Sequence, residues 1–227
     1  MTKDLTGLLD EIAALPAEWH SAGMLSVPVL RRIVRLTGGR EVKASAETGA
    51  GKSTLLLSHL SRHHLVFALD YGNSLTNVRN SPLLRNEAVT FVEGATQTTL
   101  RAFEFTTKFD LVLIDGPHGY PFPDMEYWCF YPHIAEGGLL ILDDIHIPTI
   151  HNLFRFLKEE QMFDYKGTVG TTAFFMRNAA PLFAPYEDGW WLQNYNMKRY
   201  PATITEKLKG LVPGGMQKIL VKLLKRN

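Results

Sequence analysis

The fold assignment depends on the stretch "ASAETGAGKSTLLL", residues 44–57, because it fits two different nucleotide-binding turns. Its letters GKS, residues 51–53, end the pattern G-x-x-x-x-G-K-[ST], in which a glycine-rich loop cradles phosphates with its backbone amides. The first glycine of that pattern falls on Ala46. The alternative pattern is acid-x-Gly-x-Gly-x-Ser, with Glu47 closing a strand and Ser53 opening a helix. That turn suits a ligand with a ribose and a compact charged tail.

Composition limits the class of protein. A chain of 227 residues, 45% of them hydrophobic, can bury one sizeable core, which predicts a single α/β domain. A formal charge of +1 provides no basic field, so we expect no nucleic-acid partner. The single cysteine, Cys129, excludes an intramolecular disulfide and favours a reducing compartment. Since no stretch reaches the ~18 to 20 apolar residues of a membrane span, the sequence predicts a soluble, cytoplasmic protein.

Short apolar runs recur along the chain, separated by segments long enough for helices. The runs are residues 42–47, 65–70, 89–94, 110–116 and 138–144. Continuous apolar runs that alternate with helices are typical of βαβ units and a parallel sheet covered on both faces. Two later runs, 163–169 and 171–177, flank a glycine-containing turn and predict an antiparallel pair. We therefore expect an α/β, Rossmann-like, doubly wound and mostly parallel seven-stranded sheet with an antiparallel last strand.

The flanking segments divide the chain into three parts. Helical spacing near residues 4–14 and 27–36 predicts an N-terminal helical cap, residues 1–40, before a ligand-binding core, residues 41–180. Residues 181–227 then form an aromatic lid and a basic amphipathic helix of the same domain. That basic helix fits a peripheral contact with an anionic membrane or a lipid-linked acceptor, a solvated helix end, or a homo-oligomer contact.

Acidic residues stand at the ends of the predicted strands. Glu47, Asp70, Asp115 and the pair Asp143-Asp144 each close an apolar run. In open α/β sheets, ligands bind at the carboxyl ends of the strands, so we expect these acids to converge on one rim.

Five segments together resemble the class I S-adenosylmethionine-dependent methyltransferases, and within them the group related to macrocin O-methyltransferases. They are "ETGAGKST" from residue 47, "ALDYG" from 68, "VEGAT" from 92, "FDLVLIDGPHGY" from 109 and "EGGLLILDDIH" from 136. The resemblance extends from about residue 41 to 177, which is more than half of the chain. A parallel sheet closed by a reversed strand fits the same class.

The resemblance implies a cofactor, S-adenosylmethionine, and a set of residues that contact it. Glu47 would orient its ammonium group, Gly49 and Gly51 would let the backbone approach, and Ser53 would cap the next helix. Asp70 would accept hydrogen bonds from both ribose hydroxyls. The full set that the resemblance implies is Glu47, Gly49, Gly51, Ser53, Asp70, Gly94, Ala95 and Asp115.

The resemblance also implies transfer of the methyl group to a hydroxyl, on a small-molecule or saccharide acceptor such as a glycosylated natural product. Metal-dependent members place acids where this chain has Asp115, Asp143 and Asp144, which suits Mg²⁺. His118 matches a D-x-x-H motif whose histidine is the general base, beside the catalytic Asp115, and His146 is a second candidate. The plainer interpretations are a helix-capping aspartate and a structural turn histidine.

Two other classes of function remain open at this point. A phosphate-binding-loop ATPase or kinase would use the strand-end aspartates for magnesium, but Ala46, Glu47 and Asp70 argue against it. In the methyltransferase interpretation, Lys52 is a solvated residue of the first helical turn. The other class is a catalytically silent cofactor-binding scaffold.

Two aromatic segments also allow two interpretations each. Residues 117–134 either cover the acceptor or form a packed helix with Tyr127, Phe130 and Tyr131 in the core. Residues 188–195 form either a lid or a dimer contact.

Overall fold

The computed structural model describes residues 5–16, 19, 25–38, 40–182 and 189–200. The strands are β1 Val42–Thr48, β2 Ser61–Ala68, β3 Val89–Glu93, β4 Phe109–Ile114, β5 Ile134–Leu142, β6 Phe163–Val169 and β7 Thr172–Arg177. The helices are α1 Leu5–Ala13, α2 Val27–Thr37, α3 Lys52–Leu60, α4 Ser74–Arg79, α5 Thr96–Ala102, α6 Phe122–Phe130, α7 Pro148–Glu159 and α8 Asn194–Arg199.

The seven strands form one sheet in the order β3-β2-β1-β4-β5-β7-β6. Strands β1 to β5 pair in parallel, and β7 is antiparallel to both of its neighbours. The predicted Rossmann-like sheet with an antiparallel last strand is therefore confirmed. The strand order reverses between β1 and β4, and a crevice opens at such a point beyond the carboxyl ends of the strands.

Helices cover both faces of the sheet, which explains why the central strands are apolar throughout. Along β4, Leu111 and Leu113 pack in the cluster that includes α1, α2 and α3, whereas Val112 and Ile114 pack in the cluster that includes α6 and α7. Successive side chains of a strand point to opposite faces, so each β4 residue has an apolar neighbour.

Strand β2 begins earlier in the chain than its apolar run. β2 starts at Ser61, not at residue 65, because it pairs with β1 along its whole length. The buried polar side chains at the start of β2 are tolerated because they form hydrogen bonds in the interior. Ser45 Oγ lies 2.7 Å from Ser61 Oγ and 2.8 Å from His64 Nδ1. His64 is only 1% exposed. β2 ends at Ala68, which leaves Asp70 in the following loop.

Within the segment 117–134, residues 122–130 form a packed helix, whereas Pro117 and His118 line the cavity. Tyr127, Phe130 and Tyr131 are all buried, on α6 and the turn that follows it. The Phe130 ring lies 5.9 Å from the Phe67 ring and 6.1 Å from the Phe109 ring, measured between centroids. This aromatic cluster fastens α6 to the sheet beside the crevice.

The predicted N-terminal helices are present as α1 and α2. The basic amphipathic segment at residues 216–227 lies outside the described residues, so its membrane, lipid or oligomer contact stays a prediction. Within the part of the chain that the structure describes, no helix combines the length and apolar character needed to cross a membrane.

We expect Phe130→Ala to lower the free energy of unfolding by about 3 to 5 kcal/mol, because it leaves a cavity between sheet and helix. Urea denaturation measures the change. Trp128 is on the same helix but 59% exposed, so Trp128→Ala is the control and should cost no more than about 0.5 kcal/mol. Equal losses in the two variants would contradict the packing described.

Candidate functional site

A cavity of about 880 Å³ occupies the crevice at the carboxyl ends of the parallel strands. Its wall comes from the glycine-rich turn, the residues after β2, β4 and β5, the start of α2 and the turn between β6 and β7. Ligand sites in proteins span roughly 300 to 1,000 Å³, so the cavity has room for a nucleoside-sized ligand.

Gly49 is at the centre of this cavity wall and must be glycine for two reasons. Its φ of +86° lies in the left-handed region, and a Cβ atom there would lie 2.6 Å from the carbonyl oxygen of Asp115. Its amide donates to Phe67 O at 3.0 Å. Gly49 and Ala50 line the cavity directly, while Gly51 and Ser53 are absent from its wall.

Glu47 lies behind the turn and not in the cavity wall. It is fully buried, and its Oε1 accepts hydrogen bonds from the Thr54 hydroxyl and from His64 Nε2 at 3.0 Å. The Thr54 hydroxyl in turn accepts the amide of Gly51 at 3.0 Å. Glu47 therefore holds the turn in place from the interior. His64 completes this arrangement, and its position next to the apolar run of residues 65–69 did not indicate that it is buried.

Two predictions about the first turn of α3 are wrong. Ser53 does not cap the helix, because the helix begins at Lys52 and its N-cap is Gly51. Lys52 is not solvated: it is 7% exposed, and its Nζ donates to Leu15 O at 3.3 Å. A phosphate-binding loop requires that lysine to face the ligand. The ATPase or kinase alternative is therefore not supported.

The loop after β2 contributes Leu69 and Tyr71 to the cavity wall, on either side of Asp70. The Asp70 carboxylate accepts hydrogen bonds from the amides of Leu75 and Thr76 and from the Thr76 hydroxyl. The Thr76 hydroxyl holds the pKa of Asp70 below its usual value. Asp70 thus stabilises the start of α4 and stands just outside the wall.

The loop after β3 approaches the same cavity. Gly94 has a φ of +144°, and Ala95 precedes α5. Both residues lie outside the cavity wall, which Thr96 reaches in their place.

Three side chains converge beyond β4 and β5. The ligand atoms of Asp115, His118 and Asp144 all lie within 4.8 Å of one another. His118 Nε2 is 3.3 Å from Asp144 Oδ2 and 3.9 Å from Asp115 Oδ1. Asp144 has a φ of +53°, which directs its side chain differently from that of a continuing strand. His146 Nδ1 lies 3.6 Å from Asp144 Oδ1 on the exposed side of this acid cluster.

Asp143, the third acid of the predicted metal set, also lines the cavity but lies beside this cluster. Asp143 is 8% exposed, and its Oδ1 accepts a hydrogen bond of 2.5 Å from the Thr172 hydroxyl. His118 takes the place of Asp143 beside Asp115 and Asp144. The D-x-x-H spacing of Asp115 and His118 is the sequence signal that places this histidine next to the acids.

The acid cluster carries the electrostatics of a cation site. Burial raises the pKa of Asp115 to about 7, and the negative charges of Asp143 and Asp144 add to that effect. The contact with Asp115 raises the pKa of His118. Two hard carboxylates and an imidazole, packed closely and partly exposed to a cavity, fit a divalent cation that would relieve their repulsion.

A family model described as a methyltransferase domain matches residues 46–145. No curated protein sequence matches the chain. The fold is similar to that of the Streptomyces achromogenes O-methyltransferase involved in tomaymycin synthesis, in complex with S-adenosylmethionine. The two are 14% identical over 76% of this chain and 90% of that chain, with a TM-score of 0.57.

Two further solved structures show the same fold. A Bacillus cereus O-methyltransferase in complex with S-adenosylhomocysteine is 18% identical over 77% of this chain and 92% of that chain, with a TM-score of 0.54. A Podospora anserina methyltransferase bound to S-adenosylhomocysteine is 15% identical over 78% of this chain and 89% of that chain, with a TM-score of 0.56. The sheet order and the glycine-rich turn agree with the family match, so residues 46–145 are similar to a methyltransferase domain, on a fold that the chain shares with these solved methyltransferases.

Proposed function

We propose that the protein methylates a hydroxyl group of a small-molecule or saccharide acceptor, with help from a divalent cation such as Mg²⁺. The observation that carries this proposal is the acid cluster of Asp115, His118 and Asp144, which opens into the same cavity as Gly49. A hydroxyl must lose its proton when it is methylated, and the cluster offers both a proton acceptor and a cation site.

The cofactor side of the cavity is the half that contains the glycine-rich turn. S-adenosylmethionine supplies a methyl group activated by its sulfonium. Gly49 and Ala50 would lie against its amino acid moiety. At Gly49, a side chain would collide with the Asp115 carbonyl. Leu69 and Tyr71 offer apolar contacts on either side of Asp70, whose carboxylate would meet the ribose.

The remaining predicted cofactor residues act in this proposal by shaping the loops and not by direct contact with the cofactor. Gly51 and Ser53 begin α3 behind the turn, and Glu47 holds that turn in place. Gly94 and Ala95 shape the loop that brings Thr96 to the cavity wall.

The reacting side of the cavity is the half that contains the acid cluster. Asp115 and Asp144 would hold a divalent cation, which lowers the pKa of a bound hydroxyl. His118 would take the hydroxyl proton. The Asp115 contact that raises the pKa of His118 also makes its neutral imidazole a stronger proton acceptor. Asp143 would keep this edge in place through its hydrogen bond with Thr172.

The acceptor would enter past the N-terminal cap. Leu25, Ser26 and Val29, at the start of α2, face the turn between β6 and β7 across the cavity. Tyr120, two residues after His118, is 77% exposed. An exposed aromatic ring beside polar hydroxyl-bearing walls suits a sugar or another polyhydroxylated acceptor. In this arrangement, α1 and α2 cap the core, whereas most of the segment 181–227 lies outside the described residues.

Wild-type protein should bind S-adenosylhomocysteine in a calorimetric titration and should not bind ATP with Mg²⁺. Gly49→Ala should weaken the binding of S-adenosylhomocysteine at least about tenfold, because the new methyl group forces the turn away from Asp115. Gly167→Ala is the control: its φ is +97°, but open space surrounds the position. Equal loss in both variants would attribute the effect to backbone strain, and binding of ATP alone would refute the proposal.

Asp70→Asn should weaken S-adenosylhomocysteine about tenfold if the Asp70 carboxylate accepts the ribose hydroxyls, since hydrogen bonds to charged groups contribute about 1.5 to 3 kcal/mol. Asparagine still caps a helix, so α4 should remain intact. The melting temperature serves as the check. Unchanged affinity in a stable variant would leave Asp70 as a structural residue only.

Asp144→Asn should weaken Mn²⁺ binding at least about tenfold in calorimetry with S-adenosylhomocysteine present, because one charged oxygen ligand is lost. Asparagine tolerates the left-handed backbone at this position. The control is Glu136→Gln, an exposed acid at the opposite end of β5. Absence of Mn²⁺ binding by the wild type would remove the metal from the proposal and leave the methyl-donor site standing.

A further inference from the structure

A buried carboxylate lies directly behind the segment that carries Asp115 and His118. Glu126, on α6, is fully buried, and its Oε1 has no hydrogen-bond partner among the described residues. Both of its carboxylate oxygens pack so closely against Gly116 that a Cβ at that glycine would collide with them. Burial raises the pKa of Glu126 to about 7. Such a group is costly in a protein interior, where an apolar side chain would fill the same space without desolvation.

The other oxygen of Glu126 is connected to the active-site loop through one hydroxyl group. Thr48 Oγ1 donates to Glu126 Oε2 at 2.8 Å and accepts the amide of Asp115 at 3.0 Å. A hydroxyl has a single proton, so a fixed acceptor on one side leaves its oxygen lone pairs for the amide on the other. In either protonation state, the carboxyl group keeps an oxygen that can accept from Thr48.

The same arrangement occurs at the neighbouring turn. There the buried Glu47 accepts the Thr54 hydroxyl, and that hydroxyl accepts the amide of Gly51. The two loops lie at the cavity, one on its cofactor side and one on its reacting side, and each is fastened at one backbone amide by a threonine that a buried glutamate orients. This second occurrence supports the inference that Glu126 positions the backbone and does not only fill space in the core.

We propose that Glu126 is a positioning residue for the Asp115–His118 segment. Through Thr48 it fixes the backbone of Asp115, and through its contact with Gly116 it fixes the path of the chain toward His118. Asp144 follows a different strand, so the acid cluster forms only if the chain from Asp115 to His118 keeps this path. The inference rests on the proposed function for the identity of the ligand, but the hydrogen-bond relay itself can be tested without one.

Thr48→Val removes the hydroxyl with little change in shape, and Glu126→Leu removes the acceptor. Thr48→Ser and Glu126→Gln keep a hydroxyl and an acceptor oxygen. The first readout is amide hydrogen exchange at Asp115, Gly116 and His118 in the ligand-free protein, by NMR or mass spectrometry. The second is S-adenosylhomocysteine affinity. Thr37→Val is the matched control, since that buried hydroxyl donates only to carbonyls within α2.

We expect Thr48→Val and Glu126→Leu to speed exchange at Asp115 about tenfold or more and to weaken S-adenosylhomocysteine about tenfold, because a buried amide loses its partner. Thr48→Ser and Glu126→Gln should stay close to the wild type. A merely structural role would lower the melting temperature, as we expect for Thr37→Val, but would leave both readouts unchanged. That result would overturn the proposal.

The failures of the two proposals are distinguishable. If the wild type binds no S-adenosylhomocysteine, the proposed function fails, and exchange at Asp115 still decides the role of Glu126. If the wild type binds but the variants match Thr37→Val, only the positioning role fails. Should Glu126→Leu not fold, Thr48→Val decides alone, since it leaves the carboxyl group in place.

Discussion

The close approach of Gly49 to the end of β4 is the constraint on which the site depends. β1 and β4 are neighbours in the sheet although two strands separate them along the chain, and the turn after β1 passes directly over the Asp115 carbonyl. A left-handed glycine permits that approach, since any Cβ there would meet the carbonyl oxygen at 2.6 Å. The proposed cofactor side and reacting side of the cavity thus meet at one backbone contact.

Buried polar groups keep that contact in one geometry. Glu47 and Glu126 are both fully buried, and each orients a threonine whose oxygen accepts an amide of a cavity-lining loop or its flank. Carboxyl groups in an interior reduce stability compared with well-packed apolar side chains. Their benefit here is directional, because a hydrogen bond places a backbone atom more exactly than apolar packing can. His64 and Ser45 extend the first of these networks into the sheet.

The acid cluster shows the opposite balance of forces. Asp115 and Asp144 come from neighbouring strands, and their mutual repulsion contributes to the raised pKa of Asp115. The left-handed backbone of Asp144 is itself a source of strain. Both costs are typical of functional sites, which often exchange local stability for closely placed charges.

The sequence by itself determined the fold class, because the alternation of apolar runs with helices admits little besides a mostly parallel sheet, and it identified the strand-end acids and the glycine-rich turn. It did not reveal that Lys52 turns inward, that His64 is buried under Glu47, or that His118 and not Asp143 joins Asp115 and Asp144. Those facts depend on side-chain direction and on contacts between residues far apart in the chain, such as Thr48 with Glu126. Periodicity reports which face of an element is apolar, but only packing in three dimensions decides which polar atoms meet.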